Sequence, residues 1–437
     1  MGCTVAMLLV LAANPGTPSS SPAASRPTTT PATVRIEYYR LRTADGQHDV
    51  QQCSALHFGR LGRRDGLWMT SDRNGGPSAG KIHFISAATL ADAQHQGTIQ
   101  VDECFTVVPP AEGWETFASS HSEIPAEILD DLHDRVEARL TGDKGPYLDL
   151  EAVTIAPSIL PSHETSLFVA AEEPYSTVLE LVPLAHGPDA QAQILSLHIY
   201  EEAEDERGSD RNDGLEALAW AGQPGFFYWA EEGTSYHGGD PGPRLFFRDP
   251  KVGRGRLIGG RLAIQQDLTH KLTSAVWTLR EGPEQTLNAL TVLPSGRLLA
   301  VDRNGAWILR LDPRAGTAER WLNLHDINGL DLRKLLHDFP APRRMPYISI
   351  EGISVDPAGD IWLIDDPALP EAFRASCLIR LRGLNPDAAG PSQEKRWRAD
   401  TDQSSADRRK LIADGLYYQS ATDPSSCRSS GVVQWPS

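Results

Sequence analysis

Leu150-Glu151-Ala152-Val153, followed by an apolar run that ends in the acid Glu172, is the stretch that decides the fold, because the chain writes it five times. The other copies begin Cys53-Ser54-Ala55-Leu56, Leu215-Glu216-Ala217-Leu218, Leu287-Asn288-Ala289-Leu290 and Ile350-Glu351-Gly352-Ile353, and their second runs end at Asp72, Glu231, Asp302 and Asp365. A unit that recurs in this way is one supersecondary element used repeatedly. Past each acid the chain continues in short strand-like runs: 81–86 and 98–107 after Asp72, 177–182 and 194–200 after Glu172, 307–311 and 319–324 after Asp302. Four short strands separated by turn residues make a propeller blade. Only the third unit resists division, beyond Phe247.

The expected fold is therefore an all-β, β-propeller architecture with five evident four-stranded blades and small helical insertions on one face. The last unit supplies three strands, ending with 377–382, and residues 34–41 read as its missing fourth, an N-terminal strand that closes the ring and removes an exposed edge. The propeller then spans 34–382, and the tail 383–437 holds only scraps of strand pattern, at 415–418 and 431–435, which leave room for a sixth blade. Between the first two units, 125–140 places Ile128, Leu132, Val136 and Leu140 on one helical face. Packed on the rim, this helix needs no part in the chemistry.

A net charge of -17 excludes nucleic acid as a natural partner, since a polyanion rewards clustered Lys and Arg. Residues 5–13 form a short apolar core ending in small residues, as in an export signal within 1–13, although no Lys or Arg precedes it. Residues 14–33, nearly all Pro, Ser, Thr, Ala and Gly, read as a disordered linker. No later run is apolar enough to span a membrane, so the expectation is an exported monomer, periplasmic or extracellular. Without the signal the cysteines are Cys53, Cys104, Cys377 and Cys427. Cys53 on an innermost strand and Cys104 on the outermost strand of the same blade would lie about 14 Å apart, too far to bond. Cys377 with Cys427 is the pairing that remains easy.

In a hairpin, the start of the first strand and the end of the second lie side by side, and a propeller gathers these edges round one channel mouth. Ser54, Glu151, Glu216, Asn288 and Glu351 should meet Asp72, Glu172, Glu231, Asp302 and Asp365 there, and Glu173, Glu232 and Asp366 add further charge. Crowded carboxylates protonate or recruit cations. Arg73 and Arg303, each just after an acid, would offset a part. With no His or Cys recurring in the ring, a hard cation with oxygen ligands, calcium above all, is the natural partner. The plainer alternative is that each acid accepts hydrogen bonds from a turn that every blade needs.

The long insertions 109–147, 201–213, 233–242 and 326–346 emerge on that same face, where a rigid scaffold carries function. The last brings Arg333, Lys334, Arg343 and Arg344, an anchor for phosphate or carboxylate, or else a solvated helix face. Gly76-Pro77-Ser78-Ala79-Gly80 matches a nucleophile elbow, but a strand at 81–86 follows where a helix is required.

The phrases Asp149-Leu150-Glu151-Ala152 with 168–173, Gly214-Leu215-Glu216-Ala217 with 228–232, and Ile350-Glu351-Gly352-Ile353 with 362–366 resemble the phytase-like domain family, described as having esterase-like activity. The resemblance covers roughly 50–382 and implies a secreted propeller, usually six-bladed, with calcium-dependent phosphoester hydrolysis. On that basis Glu151, Glu216, Asn288 and Glu351 would ligate calcium, with Asp72 and Asp302 beside them. Glu172, Glu231 and Asp365 would complete the shell or act as general base on a small-molecule ester or phosphate-bearing substrate. A noncatalytic binding propeller with a structural cation and a calcium-dependent lactonase are the rival readings.

Overall fold

The structure, a computed structural model, describes residues 34–388 apart from 74–75, 94–96, 144, 173–174, 185, 188–189, 201–213, 233–234, 239–243, 248–249, 270–285, 304–305, 325–348 and 367–374. Arg333, Lys334, Arg343, Arg344, Cys427, the signal and the linker lie outside the described residues, as does most of the tail. Short apolar runs rich in β-branched and aromatic residues, broken by turn residues every few positions, fold as strands almost throughout. The chain opens with β1 (Arg35–Arg42) and then forms β2 (Cys53–Leu61), β3 (Arg64–Ser71), β4 (Lys81–Ser86), β5 (Thr98–Gln100) and β6 (Glu103–Val108). The second repeat gives β7 (Leu150–Pro157), β8 (Thr165–Ala171), β9 (Thr177–Pro183) and β10 (Ala190–Tyr200). The third gives β11 (Leu215–Trp220), β12 (Phe226–Glu231), a separate hairpin of β13 (Ser235–Gly238) and β14 (Arg244–Phe247), then β15 (Lys251–Ile258) and β16 (Arg261–Asp267). The fourth gives β17 (Ala289–Val292), β18 (Leu298–Asp302), β19 (Trp307–Asp312) and β20 (Thr317–Asn323); the fifth gives β21 (Ser349–Val355), β22 (Ile361–Asp366) and β23 (Cys377–Arg382).

Antiparallel pairing groups these strands as β2-β3-β4-β6, β7-β8-β9-β10, β11-β12-β15-β16, β17-β18-β19-β20 and β21-β22-β23-β1. Together they run 303° round an axis with one unsealed seam, a β-propeller-like ring. The innermost strands β2, β7, β11, β17 and β21 neighbour one another in cyclic order. Five apolar cores fill the spaces between successive units. Trp68, Trp229 and Trp362 all lie on second strands, each at most 1% exposed. Truncating any of these to Ala is expected to cost about 3–5 kcal/mol.

Side chains at the inner edge also pin neighbouring units. Ser176, just before β9, accepts the Leu215 N–H at 3.1 Å, and Ser376, just before β23, accepts the Cys53 N–H at 3.0 Å. The bond that holds the third unit to the second thus also holds the first to the last. Round the rim, the long β10 pairs in parallel with β6 through Ala190–Gln193 and with β16 through Ile199–Tyr200.

The sequence suggests one strand over 98–107, but two form. The Asp102 carboxylate accepts the Ser86 N–H at 2.6 Å and the Thr89 hydroxyl at 2.8 Å, which turns the chain between them. As a result β5 leaves its unit and pairs in parallel with β1. Among the described residues the α-helices are α1 (Ala87–Asp92), α2 (Trp114–Ser120) and α3 (Ala126–Thr141). The helix α3 fills the expected 125–140 segment and buries Ile128, Leu132 and Val136 against the first and second units. Nothing in the sequence period signals α2, a short helix whose Phe117 is fully buried.

Candidate functional site

A regular inner strand would send alternate side chains into the cores on either side of its sheet. The repeat avoids this at one residue per unit. The ladder shifts register between Cys53 and Ala55, Leu150 and Ala152, Leu215 and Ala217, and Ile350 and Gly352, so that Ser54, Glu151, Glu216 and Glu351 are the extra residues of β-bulges. In the fourth unit the Asn288 N–H bonds to Val301 O, although Val301 already faces Ala289. A bulge re-aims a side chain without breaking the strand. The small residue that follows each polar one, Ala or Gly, is the sequence trace of this device.

All ten residues expected at the mouth are buried, from 0% exposure at Asp365 to 8% at Asp72 and Glu151. Their partners divide them. Several second-strand acids accept hydrogen bonds from the chain beside them: Asp365 from the Cys377 N–H, Asp302 from the Thr286 N–H at 3.4 Å and Glu172 from the Gly214 N–H at 2.9 Å. Glu231 takes the Tyr200 hydroxyl at 2.5 Å and lies 3.7 Å from Lys251. Its neighbour Glu232 takes the place the sequence assigns to Glu231, accepting from Asn288 Nδ2 at 2.9 Å and from Arg303.

The bulge acids have fewer donors. Glu351 accepts from Arg303 and from the Ser349 hydroxyl at 3.1 Å. For Glu151, burial first and then Asp149, Glu216, Glu172 and Glu351 push the carboxyl well above the usual carboxylate range. Glu216 is raised well above that range by burial, then by Glu172, Glu232 and Glu351, with Arg303 opposing. Burial and then Asp149 raise Glu172 to about 8, while its bond to the Gly214 N–H pulls the other way. Glu172 and Glu216, from the second and third units, are thus both raised, each acting on the other. These couplings show that acids from separate units converge.

Asp149, Glu151 and Glu172 each present an oxygen within 4.8 Å of the others, and all three are buried. Three oxygen donors at this spacing could hold a divalent cation. Asp149, just before β7, was not among the ligands the sequence suggests, although it opens the repeat phrase. Arg73 holds it through Nη1 and the backbone N–H, both at 3.2 Å. Gly214 has to be glycine, because a Cβ there would stand 2.5 Å from Glu172 Cγ and 2.4 Å from Ser176 Oγ. The elbow motif is structural: Ser78 is fully buried, exchanges hydrogen bonds with the Gln51 backbone and leads into β4.

A β-propeller-like ring in which buried carboxylates from separate units converge is what the fold and these side chains define. The chain belongs to the phytase-like family, described as esterase-like activity of phytase, which matches residues 48–367. A comparison with curated proteins finds no match. Among solved structures, the soluble aldose sugar dehydrogenase of Escherichia coli is 8% identical, with 80% of this chain and 100% of that one covered and a TM-score of 0.38. A luciferin-regenerating enzyme is 10% identical over 80% and 96% of the two chains, with a TM-score of 0.36. Virginiamycin B lyase of Staphylococcus aureus is 9% identical over 79% and 99%, with a TM-score of 0.31. Among the described residues, no helix is long and apolar enough to cross a membrane.

Proposed function

We propose that this chain is an exported, calcium-dependent hydrolase of phosphate or other esters, working at the mouth of a five-bladed ring closed by its N-terminal strand. The observation that carries the reading is the buried set Asp149, Glu151 and Glu172, whose oxygens lie within 4.8 Å of one another inside a chain of the phytase-like family. Glu216 and Glu351 stand next to that set as further oxygen donors. Calcium bound there would neutralise the carboxylates, polarise a substrate oxygen and lower the pKa of an attacking water.

The protein's own share of the chemistry would fall to Glu172 or Glu216, whichever stays outside the cation's shell, since burial and neighbouring acids raise both carboxyls to where they can accept or return a proton. Glu231 and Asp365 are tied to Tyr200, Lys251 and the Cys377 N–H, which suits positioning better than proton transfer. Arg333, Lys334, Arg343 and Arg344 would anchor an anionic substrate from the 326–346 insertion. A structural cation in a noncatalytic propeller is the second reading, favoured by the number of acids that brace backbone N–H groups. Calcium-dependent melting measured beside a panel of phosphate, carboxylate and lactone esters separates the two. Turnover that requires calcium supports the hydrolase, a melting shift without turnover supports the binding module, and no shift removes the cation site.

A further inference from the structure

The carboxylate cluster has two halves with different partners. In one, Asp149, Glu151 and Glu172 crowd together, with Arg73 against Asp149. In the other, one guanidinium lies between two acids from different units. Arg303 follows β18 in the fourth unit; its Nη2 donates to Glu232 Oε1 at the end of the third unit's β12, and its Nη1 donates to Glu351 Oε1 in the bulge of the fifth unit's β21. Asn288 Nδ2 donates to that same Glu232 oxygen at 2.9 Å. Asn288 is 1% exposed, and among the described residues its Oδ1 has no hydrogen-bond partner.

A buried acceptor left without a donor costs free energy. Carboxylate and amide oxygens that outnumber their donors are what a hard cation selects. Here the guanidinium stands where such a cation would otherwise be required. The Arg303 side chain is 22% exposed, so the place is reachable from solvent.

We propose that Arg303 is the built-in counter-cation of the half formed by Glu232, Asn288 and Glu351, so that the mouth takes a single divalent cation, in the half formed by Asp149, Glu151 and Glu172. Removing the charge of Arg303 then opens a second hard-cation site on Glu232, Asn288 Oδ1 and Glu351. The single-cation count rests on the cation reading above, whereas the effect of Arg303 is tested separately from it.

The test is calcium bound per chain, by equilibrium dialysis of chelator-stripped, folded protein. Wild type is expected to bind one ion, Arg303→Lys one and Arg303→Gln two. Wild type at one with Arg303→Gln also at one overturns the proposal and leaves the cation reading standing. Wild type at two overturns it as well. Wild type at zero with Arg303→Gln at one supports the role of Arg303 and removes the cation from the first half; zero for both removes both. Should Arg303→Gln fail to fold, the double variant Arg303→Gln with Glu232→Gln keeps the local charge balance. It should stay at the wild-type count, and a gained ion there would overturn the proposal.

Discussion

Glu172→Gln should change stability little at low pH and progressively more as pH rises. In the chelated protein the Glu172 carboxyl is raised from 4.5 to about 8, chiefly by burial and then by Asp149. A carboxyl whose folded value lies above its unfolded one holds its proton more tightly when folded, so ionising it costs stability. That cost is absent below 4.5, grows as pH rises, and is complete above about 8. The interval corresponds to about 5 kcal/mol. Glutamine keeps an oxygen that can accept the Gly214 N–H but never carries the charge. The assay is urea unfolding of both proteins in chelator between about pH 5 and pH 9. The variant should gain on wild type by several kcal/mol as pH rises, and excess calcium should flatten the wild-type curve by pairing the ionised carboxylates. A stability difference that is constant with pH in chelator would refute the electrostatic account of the mouth.

Gly214→Ala should cost about 1–3 kcal/mol through overpacking, and because the new Cβ meets Glu172 and Ser176 it should weaken calcium binding as well, measured by titration. Gly352→Ala tests the contact between the fifth and first units: a Cβ there would stand 2.3 Å from Ile364 Cγ2 and 2.9 Å from the Leu56 backbone nitrogen. Thermal unfolding should show a loss of about 1–3 kcal/mol, whereas Ala is the residue in the other four units. Cys53, fully buried with its thiol pushed up to about 12 by burial, should stay unmodified by a thiol reagent at pH 8 until the chain unfolds, as followed by mass spectrometry of its peptide.

The ring itself was legible in the sequence because its signal is repeated: five strand pairs, each with a polar residue near the start and an acid at the end, leave few other folds. The helix over 126–141 was legible for the same reason, since its apolar face keeps the helical period. Local periodicity gives no access to the choice between Glu231 and Glu232. Adjacent acids look alike in sequence, and the difference lies in Tyr200 and Lys251, which come from neighbouring strands. The bulges were missed because a register shift is a property of two strands together. Even so, the Ala or Gly after each polar residue marks them once the pairing is known. Ser176 and Ser376 were equally silent, since each acts on a strand from the next unit. Asp102 shows the limit for single strands: one carboxylate that reaches Ser86 and Thr89 divides a run that composition makes continuous.

The claim that the mouth binds a hard cation is tested most directly by the melting temperature of chelator-stripped protein titrated with calcium, wild type beside Glu151→Gln. Glu151 belongs to the close oxygen set and is braced by none of the backbone bonds that hold Glu172, Asp302 and Asp365. The account predicts a saturable rise in wild type, about 2.7 kcal/mol of added stability at a hundred times the dissociation constant, and a rise that is absent or needs far more calcium in the variant. A wild-type melting temperature indifferent to calcium, or an equal rise in both proteins, would contradict it.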